Sequence, residues 1–220
     1  MKDQQNRHDS DASIHLNHIN LRLYLGILGI LLPLILFIGN GLRLESSISH
    51  FYYTRMSVVF TGILCSFGFL LISYMGYEKK SSEFISDDFI TNLAGLAALL
   101  VAIIPTACST CPSGVPNGHS DPLLNKIHLI SAGVFIVAMG YMSFVQFTKS
   151  DKSDELTKKR NTIYRACGLL IWITVLYLMC SFLFNFSLTA YDVFIGETIA
   201  LVCFGIAWLI KSKSLSALGL

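Results

Sequence analysis

The chain has 220 residues, 53% hydrophobic and 14% charged, with a net charge of +2 and a mean hydropathy of +0.60. A soluble domain carries roughly 25% charged residues, so this chain has too few to cover itself with water, and membrane lipids are its expected partners. The small net charge offers no basic surface for nucleic acid.

Residues 1–20, MKDQQNRHDSDASIHLNHIN, are polar and lack the charged, apolar, small-residue order of a cleavable signal peptide. They are expected to form a disordered cytoplasmic tail. Six apolar runs follow, at 21–42, 56–77, 90–108, 124–148, 163–185 and 190–210. About 20 apolar residues span a bilayer as a helix, and in lipid only helices or closed barrels satisfy the backbone. Runs this long are not strands. The expected fold class is all-α, a six-transmembrane-helix bundle over 21–211 with a short cytoplasmic tail at 212–220.

Lysine and arginine set the orientation of such a bundle, because cytoplasmic loops are richer in them. Thirteen fall in the N-terminal tail, the second and fourth connections and the C-terminus, or just inside an adjoining span. The three others are Arg43, Arg55 and Lys126. Both termini are therefore expected in the cytoplasm of a plasma (bacterial inner) membrane.

The first span carries Gly26, Gly29 and Pro33, which suit close helix approach and a kink. The first outer connection, GLRLESSISHFYYTRM, is dense in hydrogen-bonding groups: Ser46, Ser47, Ser49, His50, Tyr53 and Arg55 among them. Its aromatic residues also suit an interface. Arg55 is suited to hold a phosphate or carboxylate bidentately, or to neutralise a carboxylate elsewhere in the bundle.

The third span offers Ala94, Gly95, Ala97 and Ala98 as a small-residue face. Cys108-Ser-Thr-Cys111 follows on the outer side. A disulfide between Cys108 and Cys111 is expected; a reactive dithiol, half of a metal site and unbonded thiols are the alternatives. No second CxxC exists and no metal is assigned. Cys65, Cys167, Cys180 and Cys203 sit in apolar spans as small core residues.

His128 lies four residues into the fourth span, with Ser131 at i+3 on the same face. It is the only histidine inside a span. Gly133 and Gly140 are expected to pack against a neighbour. The charged segment SDKSDELTKKRN leads into the fifth span as a solvated linker or short surface helix. Trp172 and Trp208 fit an aromatic belt near the cytoplasmic ends. Asp192 opens the sixth span and Glu197 lies inside it. A charged group in hydrocarbon costs roughly 2.5–3.5 kcal/mol on insertion scales, so Glu197 is expected to face the bundle interior and to find a partner or a proton.

The runs SSISHFYYTRMSVVFTGIL, LISYMGYE, DFITNLAGLAALLVAIIPT, NTIYRACG and GETIALVCFGIAWLIK together resemble an uncharacterised family of small bacterial six-span membrane proteins. The resemblance covers roughly residues 21–211. It implies a six-span fold and carries no activity; the CxxC is not part of the family pattern. Membrane hydrolases of the alkaline ceramidase type hold zinc through three histidines, two of them four residues apart in a late span. No HxxxH lies within any span here.

Three functions remain open to these residues. The first is binding or transport of a lipid headgroup or small solute in an outer polar pocket made by His50, Arg55, His128 and Glu197, with Ser47, Ser49, Tyr53 and Asp192 as further ligands. The second is acid–base catalysis by His128 and Glu197 on a lipid-borne substrate, which needs the two within about 3 Å directly or through one water. The third is a structural or accessory subunit, or thiol redox through Cys108 and Cys111. No cofactor is assigned.

Overall fold

Helix α1 spans Lys2–Gly39, α2 Ser57–Ile72, α3 Asp87–Ile103, α4 Pro122–Tyr141, α5 Glu155–Phe184 and α6 Asp192–Lys211. A 3-10 turn at Ser49–Tyr53 lies between α1 and α2, and a π turn at Met142–Gln146 prolongs α4. The computed structural model describes residues 2–76, 85–108, 121–149 and 154–213, and no strand occurs among them. The protein is all-α. Among the described residues, four segments, Ile19–Gly39, Pro122–Gln146, Glu155–Phe184 and Asp192–Lys211, are long and apolar enough to cross a membrane. α2 is apolar but has 16 residues. At 1.5 Å per residue it rises about 24 Å, short of a hydrocarbon core of about 30 Å. α3, with 17 residues, is similar.

Several boundaries differ from expectation for local reasons. Residues 2–18, expected as a disordered tail, have helical backbone continuous with the first apolar run. No proline or glycine precedes Gly26, so nothing in the chain interrupts helix propagation backward from that run. α3 stops at Ile103 rather than running to 108. Pro105 disfavours helical dihedrals at the residue before it, and Ile104 is extended at ψ 108°. α5 begins eight residues before its apolar run, because the Asp154 side chain accepts the Thr157 N–H and caps the charged segment into the helix. It ends at Asn185, in the left-handed region at φ 51°.

Each helix packs on its neighbours in the chain, and α1 also packs on α6, so the six close into a ring. Glycines let three of these seams approach closely. A Cβ on Gly205 would meet the Gly26 carbonyl at 2.7 Å (α1–α6), one on Gly95 the Gly68 carbonyl at 2.7 Å (α2–α3), and one on Gly168 the Gly140 carbonyl at 2.8 Å (α4–α5). Gly133, by contrast, faces open space.

The two ends of the ring differ in chemistry. At one end an aromatic cluster fills the centre. Trp208 is fully buried, with ring centroids 5.1 Å from Tyr74, 5.0 Å from Phe147 and 5.7 Å from Phe204. This corrects its expected place in an interfacial belt. Arg22 donates to Tyr74 Oη at 3.0 Å, and Lys211 donates to the Phe147 carbonyl at 3.3 Å. The lysine- and arginine-rich connections leave from this end. Outward, α5 exposes Leu170, Ile173, Leu176, Met179, Phe182 and Phe184. A soluble monomer rarely leaves so continuous an apolar face uncovered. The opposite end collects the polar residues.

Candidate functional site

The α1–α2 connection folds back onto the bundle and is held at three points. The Phe194 N–H, in the first turn of α6, donates to the Ser46 carbonyl at 3.1 Å. The Ile48 N–H donates to Glu197 Oε2 at 2.6 Å. The Tyr53 hydroxyl donates to the Thr106 carbonyl at 2.6 Å, tying the 3-10 turn to the chain beyond α3. The Asn125 side chain fixes that chain in turn, accepting from Thr106 Oγ1 at 3.2 Å and the Ala107 N–H at 2.8 Å. The Phe51 and Phe194 rings meet at a tilt, with centroids 6.0 Å apart. Glu197 thus has a backbone partner, and its side chain fixes the Ser47–Ile48 peptide.

These anchors frame an open-mouthed cavity of about 350 Å³. Its floor holds Ser47, Ser49 and His128, all buried, together with Glu197. His50 and Thr106 form one wall, and exposed Ser187, Thr189 and Ala190 of the α5–α6 connection form the mouth. Beneath the floor lies a smaller apolar pocket of about 40 Å³, lined by Leu32, Phe60, Leu64, Val101, Phe135 and Leu201. Ser49, Ala132 and Glu197 border both spaces.

Two histidines contact serines here. His128 Nδ1 lies 2.5 Å from the Ile104 carbonyl, and Nε2 lies 3.0 Å from Ser49 Oγ. A carbonyl only accepts, so Nδ1 carries the hydrogen; in the neutral ring Nε2 then accepts from the Ser49 hydroxyl. His50 Nδ1 faces Ser46 Oγ at 2.9 Å and Ser47 Oγ at 2.7 Å, and the ring also bonds to the Ala107 backbone. Burial pushes the His50 imidazole below its ordinary 6.5, against opposing pulls from the Ala107 backbone and the Glu45 carboxylate.

Of the residues singled out in the sequence, Ser47, Ser49, His50, His128, Asp192 and Glu197 line this one cavity. Asp192 is engaged by the protein itself. Its Oδ2 accepts from Tyr177 Oη at 2.6 Å and the Leu188 N–H at 2.7 Å, and its Oδ1 from the Thr189 N–H at 2.8 Å and Thr189 Oγ1 at 2.7 Å. It organises the mouth. Tyr53 acts as a tether. Arg55 is exposed, lies over Gly41 and does not line the cavity. His128 and Glu197 share no direct hydrogen bond; they are joined through the consecutive residues Ile48 and Ser49.

Thr106 and Asn125 were not legible as site residues, since a lone Thr after Pro105 and a lone Asn in an apolar helix carry no motif. Cys111 lies outside the described residues, and with it the Cys108–Cys111 pairing. Cys65, Cys167, Cys180 and Cys203 are free thiols. Among the described residues no group of three or more His, Cys, Asp or Glu is arranged to hold a metal ion.

No family model, curated protein or solved structure matches this chain.

Proposed function

We propose that the chain is a multi-pass plasma-membrane protein whose outer end binds a small amphiphile, a lipid headgroup or a polar solute. In this reading all six helices span, the two short ones with local thinning of the bilayer or flanking polar contacts. Both termini face the cytoplasm. The lysine- and arginine-rich connections leave from the end opposite the cavity, which supports an extracytoplasmic mouth.

One observation carries the binding function. A cavity of about 350 Å³ presents hydroxyl, imidazole and carboxylate groups at its floor and shares Ser49, Ala132 and Glu197 with an adjacent apolar pocket. Ligand sites combine an apolar lining with a few placed polar groups in this way, typically at about 300–1,000 Å³. A structural subunit needs its polar residues paired across helices; it has no need of a hollow between them.

The test is direct. Full-length protein is purified in mild detergent and its co-purifying small molecules are extracted and identified by mass spectrometry. Ala132→Trp fills the junction of the two spaces and is expected to lower ligand recovery at least tenfold while the protein stays folded. Equal recovery from wild type and Ala132→Trp would remove the cavity as the binding site.

A further inference from the structure

We infer that Ser49 and His128 are a nucleophile–base pair that transfers a short acyl group from an ester of a polar alcohol. The inference deepens the binding function above and rests on it. Nucleophilic serine chemistry needs a hydroxyl within about 2.6–3.2 Å of a base, and a third group to orient that base. Ser49 Oγ and His128 Nε2 are 3.0 Å apart, and the Ile104 carbonyl orients the ring through Nδ1. The tautomer this carbonyl enforces leaves the Nε2 lone pair on the serine side.

The contact is not a local accident of chain folding. Ser49 and His128 come from different elements, 79 residues apart. The Ser47–His50 contact has another character. Those residues are three apart in one turn, Ser47 Oγ also accepts the His50 N–H at 3.2 Å, and His50 Nδ1 is shared with Ser46. His50 therefore organises the turn that presents Ser49. Glu197 does so from below, holding the Ile48 N–H. Both are positioning residues.

The location of Ser49 sets the substrate class, because it borders the large polar cavity on one side and the small apolar pocket on the other. An ester whose carbonyl lies at Ser49 places its alcohol in the polar cavity and its acyl chain in the apolar pocket. That pocket holds about 40 Å³. On a scale where about 10–15 Å³ admits one water, this suits an acyl chain of about two to four carbons.

The chemistry balances with water as the only co-reactant. The Ser49 hydroxyl proton passes to His128 Nε2 as Oγ attacks the ester carbon. The bond from that carbon to the alcohol oxygen breaks, and the alcohol leaves with the proton from Nε2. Water, deprotonated by His128, then attacks the acyl-serine. The acyl–Oγ bond breaks, Ser49 regains its proton, and the short carboxylic acid departs.

The experiment uses the full chain in detergent, a short-alkyl fluorophosphonate, and p-nitrophenyl acetate, butyrate and palmitate. A single phosphonyl adduct mapped to Ser49 by peptide mass spectrometry is expected, with acetate or butyrate hydrolysed at least tenfold faster than palmitate. Ser49→Ala should abolish labelling. His128→Gln should slow it at least about 100-fold, the scale of a lost general base. An unlabelled wild-type protein, or an adduct on any other residue, overturns the proposal, and neither result depends on a variant folding. Ligand recovery from Ser49→Ala separates the two ideas. Retained ligand with no wild-type labelling sinks the acyl transfer alone, whereas absence of ligand from the wild type sinks the binding function.

Discussion

Ser49 Oγ and His128 Nε2 lie 3.0 Å apart, and the N–H of the preceding residue, Ile48, is held by Glu197. The three residues come from the 3-10 turn, α4 and α6, so the site exists only when the ring of helices has closed. Its integrity and the packing of the bundle are one problem.

Glu197 tests that link. Its Oε2 accepts the Ile48 N–H. Glu197→Gln keeps an acceptor in place, whereas Glu197→Ala strands a partly buried donor. An unsatisfied buried group costs about 1–3 kcal/mol. Thermal denaturation in detergent should show a clear loss for alanine and little for glutamine, and any activity at the cavity should fall with alanine and persist with glutamine. In a strain without the wild-type copy, normal complementation by the inserted alanine variant would remove Glu197 from the site.

One glycine in the α1–α6 seam and one in α4 outside any seam make a matched pair. Gly205→Ala brings a Cβ to 2.7 Å from the Gly26 backbone carbonyl, which cannot move aside. Overpacking of this kind costs about 1–3 kcal/mol. Gly133→Ala meets nothing within 4 Å, and alanine is favoured over glycine in a helix by about 1 kcal/mol. Melting points should fall for the first and hold or rise for the second. The reverse order would contradict the closed ring.

Acid should weaken the fold through His50. The folded protein holds this ring neutral, with its titration below 6.5, while the unfolded chain titrates near 6.5. Lowering the pH through that window protonates the unfolded chain preferentially. The His50 contribution is therefore complete above 6.5 and lost as pH falls toward the folded value. Melting temperatures measured from pH 7.5 down to 5 should decline, and His50→Gln should decline less. A steeper decline for the variant would disprove the assignment.

Topology has its own readout. Lys126 and Lys158 are exposed at opposite ends of the bundle. A membrane-impermeant thiol reagent applied to intact cells should label Lys126→Cys. It should reach Lys158→Cys only after permeabilisation. Equal labelling of both in intact cells would refute the orientation.

Individual residues mark how far the sequence could be read. Glu197 declared itself, because a carboxylate in an apolar run must turn inward or find a partner. His128 did so for the same reason. Ser49 stood in a serine-rich stretch with nothing to separate it from Ser46 or Ser47. Arg55 looked like a ligand by type, but its side chain lies over Gly41, away from the cavity. Trp208 looked interfacial by position, yet the chain after α2 turns to bury Tyr74 against it.

What the sequence determined alone was the all-α class, the approximate place of each helix and the end of the bundle where the polar groups gather. These follow from hydrophobic periodicity and the cost of charge in apolar surroundings, which act residue by residue along the chain. Which serine meets which histidine, and that a hollow lies between them, was decided only by tertiary structure. Those facts depend on helix rotation and close approach at the glycine seams, and contacts between residues 79 positions apart leave no periodic trace in the chain.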